Sequence, residues 1–276
     1  MENTEYTWPS FDGMNLFGQR WAPDHKPKAV IALVHGMGEH CGRYHEWACR
    51  FTENGYAVIA MDNRGHGKSG GTRGDAKKYE FLLNDIDVLL EKTKELFPDT
   101  PVILYGHSLG GNLVINYTLR RQPSIKALIA TSLWLKLAFD VPAVKEKMGK
   151  LLHNFLPSLR QSSGLIIDHL SHDKTVAEKY KNDPLVHDRI SLRMFFGVSV
   201  AGIWALENAS KLNLPLLLMH GSGDLITSHK TSIQFGENTK NITTLKIWEG
   251  LYHELHNEIE KDQVFEFILN WIEARK

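Results

Sequence analysis

The sequence predicts an α/β fold: a mostly parallel central sheet with helices on both faces and a helical cap inserted into it. Three observations lead there. Short apolar, β-branched runs recur with helical patterns between them. One long stretch, residues 132–208, breaks that alternation. A G-x-S-x-G sequence stands between one of the runs and the helix that follows it.

In chain order, Tyr6 to Trp8 and Leu16 to Trp21 alternate like an antiparallel hairpin that turns at Asp12-Gly13. The runs AVIALV (29–34), AVIAM (57–61), VILYG (102–106), ALIAT (127–131), LPLLLMHG (214–221) and TTLKIW (243–248) read as strands buried on both faces. Leu82, Ile86, Leu89, Leu90, Thr93 and Leu96 share one side of a helix that must stop before Pro98. Asn112 to Arg121 reads as another helix, and Val264, Phe265, Ile268, Trp271 and Ile272 mark a C-terminal one. Between Ser132 and Asn208 apolar clusters (Leu133, Trp134, Leu135, Leu137, Phe139; Leu151, Leu152, Phe155, Leu156; Met194, Phe195, Phe196) are broken by Pro142, Pro157 and Pro184. A span this long is too large for a loop between buried strands, so the expected division is a core of residues 1–131 and 209–276 with a helical cap at 132–208.

Composition narrows the function. The chain has 276 residues, 42% hydrophobic and 23% charged, enough to bury a sizeable core. Thirty-two basic residues balance thirty-two acidic ones, which argues against nucleic acid as a partner. No apolar stretch reaches membrane-spanning length and the first residues lack signal-peptide features, so a cytoplasmic protein is expected. Cys41 and Cys49 match no redox pair and read as reduced thiols; with His40 and His45 they match no structural zinc spacing, so no metal and no cofactor is expected.

The chemistry centres on Gly106-His107-Ser108-Leu109-Gly110. A serine nucleophile must sit on a sharp strand-to-helix turn, and glycines two positions either side remove side chains that would collide there. Its hydroxyl needs a histidine base and a carboxylate that fixes the histidine's tautomer. Asp224 directly follows the run LPLLLMHG and His253 lies just after TTLKIW, both at carboxyl ends of strands, so Ser108, Asp224 and His253 form the candidate triad. Asp224 also reads as a turn aspartate, and His256 rivals His253. Oxyanion donors are expected from the backbone N–H groups of Leu109 and of Met37, in the glycine-rich loop His35-Gly36-Met37-Gly38.

Five segments together resemble the monoglyceride lipase and lysophospholipase branch of the α/β-hydrolases. They are His35 to Tyr44 (HGMGEHCGRY), Asp62 to Ser69 (DNRGHGKS), Gly106 to Gly111, Gly221 to Asp224, and Tyr252 to His256 (YHELH). Asp183 to His187 is similar to a segment many members carry in the cap. The resemblance implies the α/β-hydrolase fold and a polar pocket for the alcohol of the ester formed by Glu39, Arg43 and His256; the alternative is that Glu39 and Arg43, four apart, form a structural ion pair. Thr227 and His187 stand where animal members have cysteines, so thiol sensitivity is not implied.

The reading is therefore a serine hydrolase of carboxylic esters acting through an acyl-enzyme, foremost on monoacylglycerols, with lysophospholipids or general short-chain esters as alternatives. The cap's aromatics are expected to pack, to line an acyl tunnel collectively, and to dock transiently on a lipid surface. A different class, a catalytically silent receptor or interaction protein, would be favoured by loss of a triad member or oxyanion glycine, and none is lost.

Overall fold

A computed structural model describes residues 2–275. The hairpin forms as β1 (Glu2–Pro9) and β2 (Asn15–Ala22), paired antiparallel. The next apolar runs become β3 (Val30–Val34), β4 (Ala57–Met61), β5 (Val102–His107) and β6 (Ala127–Thr131), with α1 (His45–Glu53), α2 (Tyr79–Leu96) and α3 (Leu109–Arg121) between them. After β6 the chain leaves the sheet through α4 (Ala143–Phe155), β7 (Arg160–Ser162), α5 (Lys174–Asn182), β8 (Arg189–Ser191) and α6 (Leu192–Glu207). It returns as β9 (Leu216–Gly221), α7 (His229–Asn238), β10 (Thr243–Trp248) and α8 (Lys261–Glu273).

The sheet order is β1-β2-β4-β3-β5-β6-β9-β10, and every pair from β4 to β10 is parallel. Two cores flank it because successive residues of a strand face opposite sides. Val30, Ala32 and Val34 pack with Leu82 and Ile86 of α2 and Leu113 of α3; Ile31 and Leu33 pack on the other side with Phe51 of α1 and Phe265 of α8. This is the α/β architecture the sequence predicts. β10 departs from the expected double burial: it pairs only with β9, and most of its residues are half-buried, so Lys246 is accommodated at an edge.

The segment after β6 is not purely helical, since β7 and β8 pair as a two-stranded antiparallel ribbon. Its apolar clusters also separate. Leu133, Trp134 and Leu135 are buried and belong to the main core, with Leu133 Cβ packed on the close approach at Gly111. On α4, by contrast, Val144, Met148, Leu151 and Phe155 are exposed. Backbone hydrogen bonds fasten the segment to the loops at the carboxyl ends of the strands. Ala138 N–H donates to Ile226 O, Ser228 N–H to Lys136 O, and His187 N–H to Gly38 O. Arg193 adds an ion pair to Asp75.

Candidate active site

Ser108 occupies the turn between β5 and α3 with φ +54° and ψ −115°, a left-handed conformation that costs an L-residue energy and is held by its surroundings. Its N–H donates to Thr131 O at 3.0 Å, and its carbonyl accepts from Asn112 and Trp134 N–H groups. A Cβ at Gly106 would overlap Gly110 O, and one at Gly110 would overlap Val34 O, so the two glycines are demanded by close backbone approach.

Asp224 and His253 reach the same place from the ends of β9 and β10. His253 Nδ1 lies 2.7 Å from Asp224 Oδ2; a carboxylate only accepts, so Nδ1 donates and Nε2 of the neutral ring is left as the basic nitrogen. Asp224 Oδ1 accepts the N–H groups of Ile226 (2.7 Å) and Thr227 (3.0 Å), while Oδ2 also accepts from His220 Nε2 (2.9 Å) and Thr227 Oγ1 (2.9 Å). Burial works against ionising Asp224, but the two histidines beside it hold its carboxyl well below the usual range. Burial likewise disfavours the His253 cation, yet the Asp224 carboxylate outweighs it and raises the imidazole above its ordinary 6.5.

The N–H groups of Met37 and Leu109 donate to no acceptor among the described residues, whereas Gly36 N–H is taken by Glu39 Oε1 at 2.6 Å. Leu109 opens α3, where the helix dipole adds positive potential. His35 braces this loop. It accepts Asn63 N–H at Nε2 (2.9 Å), so Nδ1 donates to Gly36 O (2.8 Å), and burial drops its pKa to about 3, which keeps the ring neutral.

Glu39 sits in the site wall, but Arg43 and His256 stand behind it. The Arg43 guanidinium is bound to Glu39 (2.6 Å) and, through two N–H groups at 2.7 Å each, to Glu254, with the Tyr180 ring 4.8 Å away. The i,i+4 ion pair is thus one arm of a buried clamp joining the Gly36 loop to the His253 loop. Within it, burial pushes Glu39 up, while Arg43 offsets burial at Glu254 and brings it to about 2. His256 stacks on Tyr44 at 4.6 Å, and burial lowers it to about 4. Sequence reasoning quoted His35, Tyr44 and Glu254 only as members of motifs and passed over His220 and Ser232, although the HG pair closing β9 was a visible signal for His220.

Ser108, His253, Met37 and Glu39 open on one cavity of about 850 Å³. Its remaining wall is largely apolar, with Leu137, Leu152, Phe195 and Leu225 among the lining residues. Three glutamates, Glu39, Glu146 and Glu254, line it, and among the described residues no lysine or arginine does. No cluster of described His, Cys, Asp or Glu residues is arranged to hold a metal ion. The arrangement can bind a long apolar chain beside a nucleophile, a base and unpaired N–H donors.

The family model for serine aminopeptidases, S33, matches residues 25–260. An uncharacterized abhydrolase domain-containing protein of Dictyostelium discoideum is 41% identical over 96% of this chain, which spans only 28% of that protein's length. The Homo sapiens monoglyceride lipase is 35% identical, covering 96% of this chain and 88% of that one. The crystal structure of Paleococcus ferrophilus monoacylglycerol lipase superposes with a TM-score of 0.86 at 31% identity, over 95% of this chain and 99% of that one.

Proposed function

The chain belongs to the serine aminopeptidase S33 family of α/β-hydrolases, and from that premise we propose that it hydrolyses carboxylic esters, foremost monoacylglycerols to fatty acid and glycerol, through an acyl-enzyme on Ser108. His253 Nε2 takes the Ser108 proton as Oγ bonds to the ester carbonyl carbon. The carbonyl oxygen, now negative, accepts from the Met37 and Leu109 N–H groups. The C–O bond to the alcohol breaks and His253 returns the proton to the leaving oxygen. Water, deprotonated by the same nitrogen, then attacks the acyl carbon and releases the acid.

The observation that carries this reading is the cavity of about 850 Å³ that joins Ser108 and His253 to a largely apolar wall. The same wall separates the two lipid readings. With three glutamates and no described lysine or arginine, it presents no lysine or arginine charge to a phosphate, while glycerol hydroxyls can donate to Glu39 or Glu254. Presented with a monoacylglycerol and a lysophospholipid of equal chain, the enzyme should favour the first by about tenfold or more in kcat/KM. A preference for the lysophospholipid would reverse the substrate order, and activity confined to short soluble esters would overturn the lipid reading.

Residues 132–208 act as the cap in this proposal, and α4 is its lipid-facing surface. Leu151 and Phe155 are 61% and 77% exposed on one face of α4. Among the described residues no helix is long and apolar enough to cross a membrane, so such a face docks on a lipid surface without spanning it. Burying one such side chain contributes about 1.5–3 kcal/mol, so replacing both by serine should weaken vesicle association by about tenfold or more. Undiminished sedimentation with neutral vesicles would remove α4 from membrane contact.

A further inference from the structure

Of the buried histidines that the mechanism does not use, His220 is the one hydrogen-bonded to the proposed triad. His220, the penultimate residue of β9, is fully buried, and so is Ser232 of α7 beneath it. Ser232 Oγ lies 2.6 Å from His220 Nδ1, and His220 Nε2 lies 2.9 Å from Asp224 Oδ2, the same oxygen that accepts from His253. Because a carboxylate oxygen only accepts, Nε2 carries the proton and Nδ1 of the neutral ring accepts from the Ser232 hydroxyl. Burial keeps the ring neutral, since it lowers the His220 pKa more than Asp224 raises it.

Ser232, His220 and Asp224 thus mirror the catalytic line, yet neither Ser232 nor His220 borders the substrate cavity, so Ser232 has no access to an ester. Resting on the proposed roles of Ser108, Asp224 and His253, we infer that His220, its tautomer set by Ser232, is a positioning residue that anchors Asp224 Oδ2 under His253 and limits how basic His253 becomes. An N–H donated to Oδ2 draws carboxylate charge away from His253; without it, the imidazolium is held more tightly. The other groups around the pair are Thr227 on Oδ2, His229 at the start of α7 (ring centroids 6.4 Å from His220), His107 (4.9 Å from His253), and Glu39 and Glu254, which act on His253 through space.

The test uses the full chain and a soluble p-nitrophenyl ester. His220→Leu removes the donor; His220→Gln keeps an amide N–H that reaches Oδ2 and an oxygen that faces Ser232. For His220→Leu, kcat should fall about ten- to hundredfold, the worth of one hydrogen bond to a charged group, with KM little changed. The acid limb of its kcat/KM profile should move to higher pH. His220→Gln should restore both, and Ser232→Ala should move the limb in the same direction by a smaller amount. Nitrogen-15 histidine spectra of the unaltered protein should show His220 protonated at Nε2. A folded His220→Leu with unmoved kcat and limb, or a ring protonated at Nδ1, overturns the inference; if His220→Leu does not fold, Ser232→Ala and the tautomer decide. Normal turnover by Ser108→Ala and His253→Ala would instead sink the underlying triad, a result this inference's own failure does not produce.

Discussion

Ser108→Ala should lower kcat on a monoacylglycerol by about four to six orders of magnitude while the protein stays folded, because the triad acts as a unit. His253→Ala should cost about as much, and Asp224→Asn should leave more residual activity. The physical reason lies in the division of labour. In the proposed mechanism Ser108 is a weak nucleophile until His253 Nε2 accepts its proton, and Nε2 is free to do so because Asp224 holds Nδ1–H at 2.7 Å. A fluorophosphonate probe followed by peptide mapping supplies an independent reading: the adduct should sit on Ser108, and labelling elsewhere would remove Ser108 from the mechanism. The pH profile follows from the same geometry. With His253 raised above 6.5, activity should be full above that folded value and decline as pH falls through it.

Acidification from pH 7.5 to 5 should strip a large part of the protein's stability. His35 at about 3, His256 at about 4, and His66 and His107, both well below 6.5, are buried neutral, with desolvation the largest cause in each. In the unfolded chain each takes up a proton near pH 6.5, whereas in the fold it does not. Their contribution is therefore complete above pH 6.5 and lost as pH falls below it, at about 1.4 kcal/mol per pH unit for each group. At pH 5 that amounts to roughly 2 kcal/mol for His35 and again for His256, with His66 and His107 adding to the loss in the same direction, against a total stability of about 5–15 kcal/mol. His253, raised by Asp224, works in the opposite sense and offsets part of the loss, as does Glu39. Urea midpoints at the two pH values measure the effect, and His256→Phe, which can keep the stack on Tyr44, should flatten the dependence by one proton. Equal midpoints at pH 7.5 and 5 would show that these rings are not held neutral.

Much of the molecule was legible in its residues because the governing interactions are local or periodic. A run such as AVIAM becomes β4 over residues 57–61 because a strand buried on both faces needs only apolar, β-branched character, and Pro98 stops the helix that ends at Leu96. Short segments escaped: α1 and α7, of 9 and 10 residues, carry polar residues through their lengths and lack the long apolar stripe of α2. Leu133 to Leu135, read as part of an inserted cap, lie in the main core because the path after β6 runs first over α3, which no local pattern records.

The same divide runs through the site. Sequence by itself determined the residue types that chemistry requires, their order along the chain and their places at strand ends, since a G-x-S-x-G turn and an acid and base after later strands are short-range patterns carried on a regular sheet. Only the tertiary structure decided which atoms meet. It set Arg43 between Glu39 and Glu254, which are separated by more than two hundred residues of chain, and put His256 behind Tyr44 rather than on the cavity wall. It also brought His220 to the oxygen that holds His253. Hydrogen bonds and buried ion pairs act over about 3 Å and depend on direction, so their partners are chosen where the packed sheet brings loop ends together, a distance that spacing along the chain does not encode.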